Sequence, residues 1–127
     1  MPDFVVQFGI ASEPTETHKW KNAIPDDPVL QSNLPGTVSF ATGGPNTLTT
    51  QIFINTVDNS RLDDMGFSPF AKVISGMDTV LAIYNPTPGD GNGASQLHYT
   101  KQGNEWILEK YPEIDLIMPP EADVNFY

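Results

Sequence analysis

Short apolar runs separated by polar, turn-rich stretches predict a chain built mainly from β-strands. Val38 and Phe40 alternate with polar neighbours, as in a strand that buries one of its faces. Glycine, proline and asparagine cluster between such runs, which is typical of the connections in a barrel or sandwich. Runs with the composition of a strand lie at 4–10, 36–42, 51–57, 69–74 and 113–118.

Two other segments show helical rather than strand spacing. Apolar residues recur at the spacing of one helix face over 77–84, and Ser75 with Asp78 is close to a capping box at the start of that helix. The Asn85-Pro86 dipeptide ends it, because a residue before proline avoids the helical conformation. A second, short helix is predicted over 103–111. The whole pattern indicates an all-β barrel or sandwich with a helical cap.

Two long polar segments interrupt this pattern. Residues 11–35 are rich in proline and predict an ordered excursion, anchored by Trp20, Ile24 and Val29. Connections of this length are uncommon unless they carry function or pack on a scaffold. Residues 85–96 predict a flexible loop of glycine and proline, and an acidic tail follows the last predicted strand.

Length and charge narrow the class of protein. The 127 residues are one domain by length, and 39% hydrophobic against 17% charged residues indicates a globular chain. The 16 Asp and Glu against 6 Lys and Arg give a net charge of −10, which disfavours nucleic acid as a partner. No apolar run approaches the ~18 residues of a membrane span, so no membrane partner is expected. No targeting segment is visible, so the compartment stays unknown, with a soluble cytoplasmic location as the default expectation.

Candidate catalytic and metal-binding motifs are weak. Asp90-Gly91-Asn92-Gly93 copies the opening of a calcium loop, but Lys101 occupies the twelfth position, where a glutamate is needed. The adjacent pairs Asp26-Asp27 and Asp63-Asp64 point their side chains apart and predict turns. The two histidines have no carboxylate or cysteine at a metal-ligand spacing, and the chain has no cysteine at all. Neither a metal, a cofactor nor a covalent mechanism is therefore expected.

Gln51 is a polar residue at the start of a buried strand. It opens Gln51-Ile52-Phe53-Ile54 after a Gly-Gly-Pro-Asn turn and a polar stretch. Its amide needs hydrogen-bond partners. A glutamine bonded to its own loop is one explanation, and an amide that binds a ligand is the other. Taken with the weak acid–base motifs, this pattern predicts an apolar surface lined by amides.

Ordered blocks over 4–10 and 36–84 carry a family resemblance. They include FVVQFGI, the Gly-Pro-Asn-Thr turn before the Gln-x-Phe strand, and Gly-Met-Asp at the predicted helix. In order and spacing these blocks resemble cyclophilins, the cyclosporin-sensitive class of peptidyl-prolyl isomerases. The match is looser elsewhere, as in a divergent branch of the family. The resemblance implies a single cyclophilin-like domain over 1–127, with 85–127 as a divergent C-terminal segment.

The fold implied by the resemblance is mainly β, a closed eight-stranded barrel with capping helices and a groove on its outer face. Compared with that pattern, the chain lacks the first two strands and the first helix, so the N-terminal part of the domain is expected to be missing. A barrel without these strands would expose unpaired edges. Something else is therefore expected to complete it.

The resemblance also implies a site. In the family an apolar pocket holds the substrate proline ring, and glutamines bond the flanking backbone. The implied catalytic residues are Phe4, Gln51, Phe53 and Leu62. The implied substrate-binding residues are Val5, Gln7, Ala41, Thr42, Arg61 and Phe67. Arg61 stands where many members carry a tryptophan that contacts cyclosporin, so affinity for a cyclosporin-type ligand is expected to be weakened.

The implied function is rotation of Xaa-Pro bonds in peptides and unfolded proteins. Amide resonance sets a barrier of ~18–20 kcal/mol, and a site lowers it by binding the twisted amide better than either planar form. In the family an arginine five residues before the pocket phenylalanine hydrogen-bonds the prolyl nitrogen, and that position falls ahead of Met1. The alternative function is a non-catalytic, cyclophilin-like binding or structural subunit that lacks this arginine.

Overall fold

Four strands form one antiparallel sheet at the centre of the protein. The computed structural model describes residues 3–87 and 93–118. Across the sheet the strands follow the order β1-β3-β2-β4, and each neighbouring pair is antiparallel. Their bounds are β1 Val5–Phe8, β2 Thr37–Phe40, β3 Ile52–Asn55 and β4 Pro69–Lys72.

Each strand lies inside a run that the alternation of residues predicted, so these four predictions are confirmed. Each strand is shorter than the run that predicted it. The fifth predicted strand is wrong. Residues 113–118 pair with no strand in the described ranges, and Ile117 and Met118 are 76% and 74% exposed. Apolar composition is not sufficient for a strand, because the backbone must also meet a sheet edge with which to pair.

The described sheet is open. In residues 3–87 and 93–118, β1 and β4 each pair on one side only. The closed eight-stranded barrel stays a prediction, as does the absence of its first strands and helix.

Three α-helices and one short 3-10 helix lie outside the sheet in the part of the chain that the structure describes. Their bounds are α1 Pro14–Lys19, the 3-10 helix Ser60–Leu62, α2 Met77–Ala82 and α3 Gln96–Lys110. The alternation of residues did not predict α1, which has no buried residue and therefore no apolar stripe to detect.

The starts of α2 and α3 differ from the prediction. Gly76, with a φ of 80°, precedes α2 and no side chain caps it, so the capping box of Ser75 and Asp78 is wrong. The third helix begins at Gln96, well before the predicted 103, because the Ser95 hydroxyl accepts a hydrogen bond from the backbone N–H of His98. A kink at Gly103 divides this helix, and the prediction covered only the half after the kink.

Residues 11–35 do form an ordered excursion, but the predicted anchors are largely wrong. Trp20 is 59% exposed and Ile24 is 48% exposed, while Val29 is half-buried. Backbone and polar contacts hold the segment instead. The backbone of Ile24 pairs with that of Leu48. Residues 88–92 of the predicted loop over 85–96, with the opening of the calcium-like motif, lie outside the described residues, as does the acidic tail after 118.

Strand register divides the sheet into two faces, because directly opposed residues share a face. Phe53 opposes Gln7 on one side and Ser39 on the other. We call this side the site face, and it carries a buried cluster of Val5, Phe53 and Leu62 with Phe4, Ala41 and Phe67 packed against it. We call the other side the apolar face, and it carries Val6, Phe8, Val38, Phe40, Ile52 and Ile54.

Candidate active site

A cavity of about 390 Å³ opens on the site face. One half of its lining is apolar and comprises Phe4, Val5, Ala41, Phe53, Leu62 and Phe67. The other half carries uncharged amides and hydroxyls, from Gln7, Thr42, Thr47, Thr49, Gln51 and Gln96, beside Gly43. None of these side chains titrates near neutral pH. The cavity therefore suits a neutral ligand that has an apolar group next to hydrogen-bonding groups.

The apolar half is rigid because its members are also the core of the domain. Val5, Phe53 and Leu62 are only 2%, 4% and 5% exposed. The ring of Phe67 meets that of Phe53 edge to face, with centroids 5.7 Å apart and planes at 69°. These walls leave an apolar concave surface for a small ring or a compact apolar side chain.

Gln51 finds its partners on other elements rather than in its own loop. Its side-chain oxygen accepts a hydrogen bond of 2.9 Å from Gln7 Nε2 on β1. Its own Nε2 donates to Gln96 Oε1 at the start of α3, at 3.2 Å. These side chains form a row of three amides along the polar half of the cavity, which we call the amide row.

The loop after β2 supplies hydroxyls to the rim of the cavity. The Thr42 hydroxyl lies 2.9 Å from that of Thr47 and also donates to the carbonyl of Gly44. The backbone N–H of Gly43 donates to Thr47 Oγ1 at 2.9 Å. The loop holds its own shape through these bonds. Its hydroxyls therefore stand at fixed positions beside the amide row.

Arg61 stands beside the cavity and not in its lining. The guanidinium carbon lies 4.9 Å from the centroid of the Phe4 ring, in a cation–π contact. Its Nη1 donates to Asn59 Oδ1 at 3.1 Å. Arg61 therefore covers the outer side of an aromatic ring that forms one wall of the cavity.

Two buried asparagines hold the backbone on opposite sides of the cavity. Asn59 Nδ2 donates to the carbonyl of Phe4 at 2.9 Å. Asn33 Nδ2 donates to the carbonyl of Phe67, also at 2.9 Å. Both asparagines are fully buried, so each donor lies in the interior of the protein. The two aromatic walls are thus positioned by amides that lie behind them.

These two asparagines belong to a larger buried polar network. The side-chain oxygen of Asn33 accepts from Ser39 Oγ at 2.8 Å and from Asn55 Nδ2 at 3.2 Å. Asn59 Nδ2 donates to Asn55 Oδ1 at 2.8 Å, and the backbone N–H of Asn59 donates to the carbonyl of Asn33 at 2.9 Å. The sequence patterns missed this network. The available signal was Asn55, a polar residue two positions after buried Phe53 and therefore on the same face.

Asp63 anchors the network at the surface. The Ser32 hydroxyl donates to its carboxylate at 2.5 Å, and the side chain and backbone of Asn33 donate at 2.7 and 2.9 Å. These hydrogen bonds, that from Ser32 first, lower the pKa of the Asp63 carboxyl below its usual value. The predicted turn residue is therefore an acceptor that fixes the segment before β2 against the 3-10 helix.

The structure brings together nine of the ten side chains that the resemblance selected. Phe4, Val5, Gln7, Ala41, Thr42, Gln51, Phe53, Leu62 and Phe67 all line the one cavity, and Arg61 does not. Their roles stay predictions. Gln96, Thr47 and Thr49 line the cavity too and were not predicted. In residues 3–87 and 93–118 no group of three His, Cys, Asp or Glu could hold a metal ion, and no helix is long and apolar enough to cross a membrane.

Comparisons with known proteins point to one family. The family model described as cyclophilin type peptidyl-prolyl cis-trans isomerase/CLD matches residues 1–102. A peptidyl-prolyl cis-trans isomerase of Acinetobacter baylyi is 44% identical over 59 residues, which are 42% of this chain and 31% of that protein.

Two further relatives match over a longer part of the chain. A peptidyl-prolyl cis-trans isomerase-like 3 of Rhizopus delemar is 33% identical over 100 residues, 71% of this chain and 58% of the relative. The peptidyl-prolyl cis-trans isomerase B of Escherichia coli is 35% identical over 85 residues, 61% of this chain and 49% of the relative. The chain therefore spans less than two thirds of the length of each of these relatives.

Proposed function

The chain belongs to the family of cyclophilin-type peptidyl-prolyl cis-trans isomerases, and on that basis we propose that it catalyses rotation of Xaa-Pro bonds in peptides and unfolded proteins. The observation that carries this proposal is the geometry of the cavity. An apolar pocket with aromatic walls and the amide row face the same space of about 390 Å³. Proline presents an apolar ring directly beside backbone groups that form hydrogen bonds.

The chemistry of the reaction suits a site without an acid or a base. An Xaa-Pro bond populates both isomers, and they interconvert over tens to hundreds of seconds at 25 °C. The barrier of ~18–20 kcal/mol comes from amide resonance, so no covalent bond has to break. A site accelerates the rotation if it binds the twisted amide more tightly than the planar forms. Rigid walls and fixed hydrogen bonds provide that kind of preference.

We assign the catalytic task to Phe4, Gln51, Phe53 and Leu62. The phenylalanines and the leucine would hold the proline ring, while Gln51 would bond the backbone of the turning segment. Val5 and Phe67 complete the pocket, and Gln7, Ala41 and Thr42 border the groove beside it. Hydrogen bonding to the prolyl nitrogen would further favour loss of resonance. In the family an arginine supplies it, and the matching position precedes Met1.

We also propose that the described sheet is part of a closed barrel, within a single domain over 1–127 whose C-terminal segment, 85–127, is divergent. The apolar face supports this proposal. Ile52, Ile54 and Phe40 are only half-buried there, and Phe70 is 52% exposed although its ring contacts that of Phe40 at 4.9 Å. Additional strands would cover these side chains and pair with the two free edges.

A second candidate function is a non-catalytic module that binds proline-containing segments or serves as a structural subunit. Arg61 favours it, because a cation stands where many members of the family have a tryptophan. The side chain beside the pocket therefore differs from the one that many members of the family have. Binding of a proline ring needs the pocket and the amide row, whereas turnover also needs a donor at the prolyl nitrogen.

An isomerase assay separates the two candidates. The full-length protein is mixed with a short Xaa-Pro peptide, and exchange between the cis and trans signals is followed by NMR. We expect exchange above the uncatalysed rate, with loss of that rate in Phe53→Ala. A Gln31→Ala variant, which changes an exposed amide outside the cavity, is the control. Shifted peptide signals without faster exchange would support the binding module and contradict the enzyme.

A further inference from the structure

The first residue of α3 reaches the cavity from a distant part of the chain. Gln96 is 45 positions away from Gln51 in sequence, yet their side chains meet at 3.2 Å. It lies in the segment over 85–127, where the resemblance to the family is looser. No role in binding or catalysis follows for it from the resemblance.

Gln96 contacts the donating end of the Gln51 amide. A glutamine amide has an accepting oxygen and a donating nitrogen, and it can turn either way unless its neighbours select one orientation. The Gln51 oxygen faces Gln7, and the Gln51 nitrogen faces the oxygen of Gln96. One of the two N–H groups on the Gln51 nitrogen therefore donates to Gln96. The direction of the second N–H group is set by the same orientation of the amide.

Close backbone contacts hold α3 against the segment that follows β1. The backbone N–H of Asn104 in α3 donates to the carbonyl of Ser12 at 2.8 Å. Gly103 is buried against the same carbonyl, with a φ of 64°, and a Cβ there would overlap it. Gly9 packs in the same way against the backbone of Thr50. The segment after β1 therefore touches both α3 and the backbone of Thr50 and Gln51, just before β3.

We propose that Gln96 is a positioning residue for substrate binding. Its side-chain oxygen holds the Gln51 amide so that the second Gln51 N–H is presented to a backbone carbonyl of the bound proline-containing segment. This inference rests on the proposed function, because it assigns a task within the same groove. It adds that α3, a divergent element of this chain, controls how firmly the groove binds its substrate.

Two variants of Gln96 with opposite hydrogen-bonding capacity test the inference. Gln96→Met keeps the length of the side chain and removes the acceptor, while Gln96→Glu keeps acceptor oxygens and cannot donate when ionised. Gln102→Met is the matched control, because Gln102 is an exposed glutamine of the same helix outside the cavity. Each change is made in the full-length protein. The side-chain amide signals of Gln51 are recorded by NMR together with kcat and KM for an Xaa-Pro peptide.

We expect Gln96→Met to shift the Gln51 amide signals and to raise KM about two- to fivefold, as for the loss of a modest hydrogen bond. Gln96→Glu should restore both properties, and Gln102→Met should change neither. Unchanged Gln51 signals and KM in Gln96→Met would overturn the inference. So would a Gln96→Glu variant as impaired as Gln96→Met.

The amide signals need no turnover, so they distinguish this inference from the proposed function. A wild-type protein that binds no peptide and catalyses no exchange would contradict the proposed function. The Gln51 signals of the free protein would still support or refute the orienting contact of Gln96.

Discussion

Replacing Asn33 with alanine should destabilise the fold and loosen one wall of the pocket. The Asn33 side chain is fully buried, and its amide meets Asp63, Ser39, Asn55 and the carbonyl of Phe67. Truncation affects these partners unequally. Asp63 keeps its bonds to Ser32 and to the backbone N–H of residue 33, and Asn55 keeps those to Thr37.

Two groups lose the only hydrogen-bond partner that the described residues give them. They are the buried hydroxyl of Ser39 and the partly buried carbonyl of Phe67. An orphaned buried group costs about 1–3 kcal/mol and a partly buried one costs less, so Asn33→Ala should lower the free energy of unfolding by about 1–5 kcal/mol. The upper end is a large fraction of the ~5–15 kcal/mol that stabilises a typical domain.

Urea unfolding of the full-length protein measures the loss, with Asn22→Ala as the control. Asn22 is an exposed asparagine whose amide bonds one backbone carbonyl at 3.4 Å, so its removal should change stability by no more than about 0.5 kcal/mol. A loss of less than about 1 kcal/mol for Asn33→Ala would refute the reasoning, because it would mean that the orphaned groups find other partners at little cost.

Three further changes test other parts of the site. Gln51→Ala should lower kcat/KM by about three- to tenfold, because one hydrogen bond to the substrate is lost, and should leave the urea unfolding curve unchanged. Equal losses of activity and stability would contradict the place of Gln51 in the site, and Gln31→Ala is the control. Because the folded state lowers the pKa of Asp63, the unfolded state binds more protons at acid pH, and the stability that Asp63 confers should disappear as the pH falls below about 4. The difference in unfolding midpoint between wild type and Asp63→Asn should therefore be largest at pH 7 and narrow by pH 3, and a constant difference would argue against the assignment. Arg61→Trp should raise affinity for cyclosporin in calorimetry by about tenfold or more, because an indole adds apolar surface and a donor; equal affinity of the two proteins would show that Arg61 does not weaken drug binding.

The sheet could be predicted from the sequence because alternation marks which residues share a face. Val38 and Phe40 lie in a half-buried strand, as their pattern indicates. The pattern does not tell what covers a face. Asn55 and Ser39 occupy buried positions on the site face and bond each other through Asn33, whereas polar residues in a strand ordinarily indicate exposure.

The contribution of α3 to the cavity could not be predicted, for two physical reasons. Residues 96–102 have no apolar stripe, since they read QLHYTKQ, and the glycine at 103 is a poor residue for a helix interior. The helix begins nevertheless because Ser95 caps it, and it continues because the kink at Gly103 fits the carbonyl of Ser12. The Ser95 cap and the fit of Gly103 are contacts between individual atoms, and such contacts cannot be predicted from the spacing of hydrophobic residues.

The candidate site depends most on the register of β3. Gln51, immediately before this central strand, contributes to the amide row, while Phe53 and Asn55 within it contribute to the apolar wall and to the polar network behind the wall. A shift by one residue would move all three side chains to the apolar face at once. Pairing with β1 on one side and β2 on the other prevents that shift. The asparagine network adds a restraint that sheet hydrogen bonds lack, because within the described residues the side chain of Asn55 has its partners on the site face.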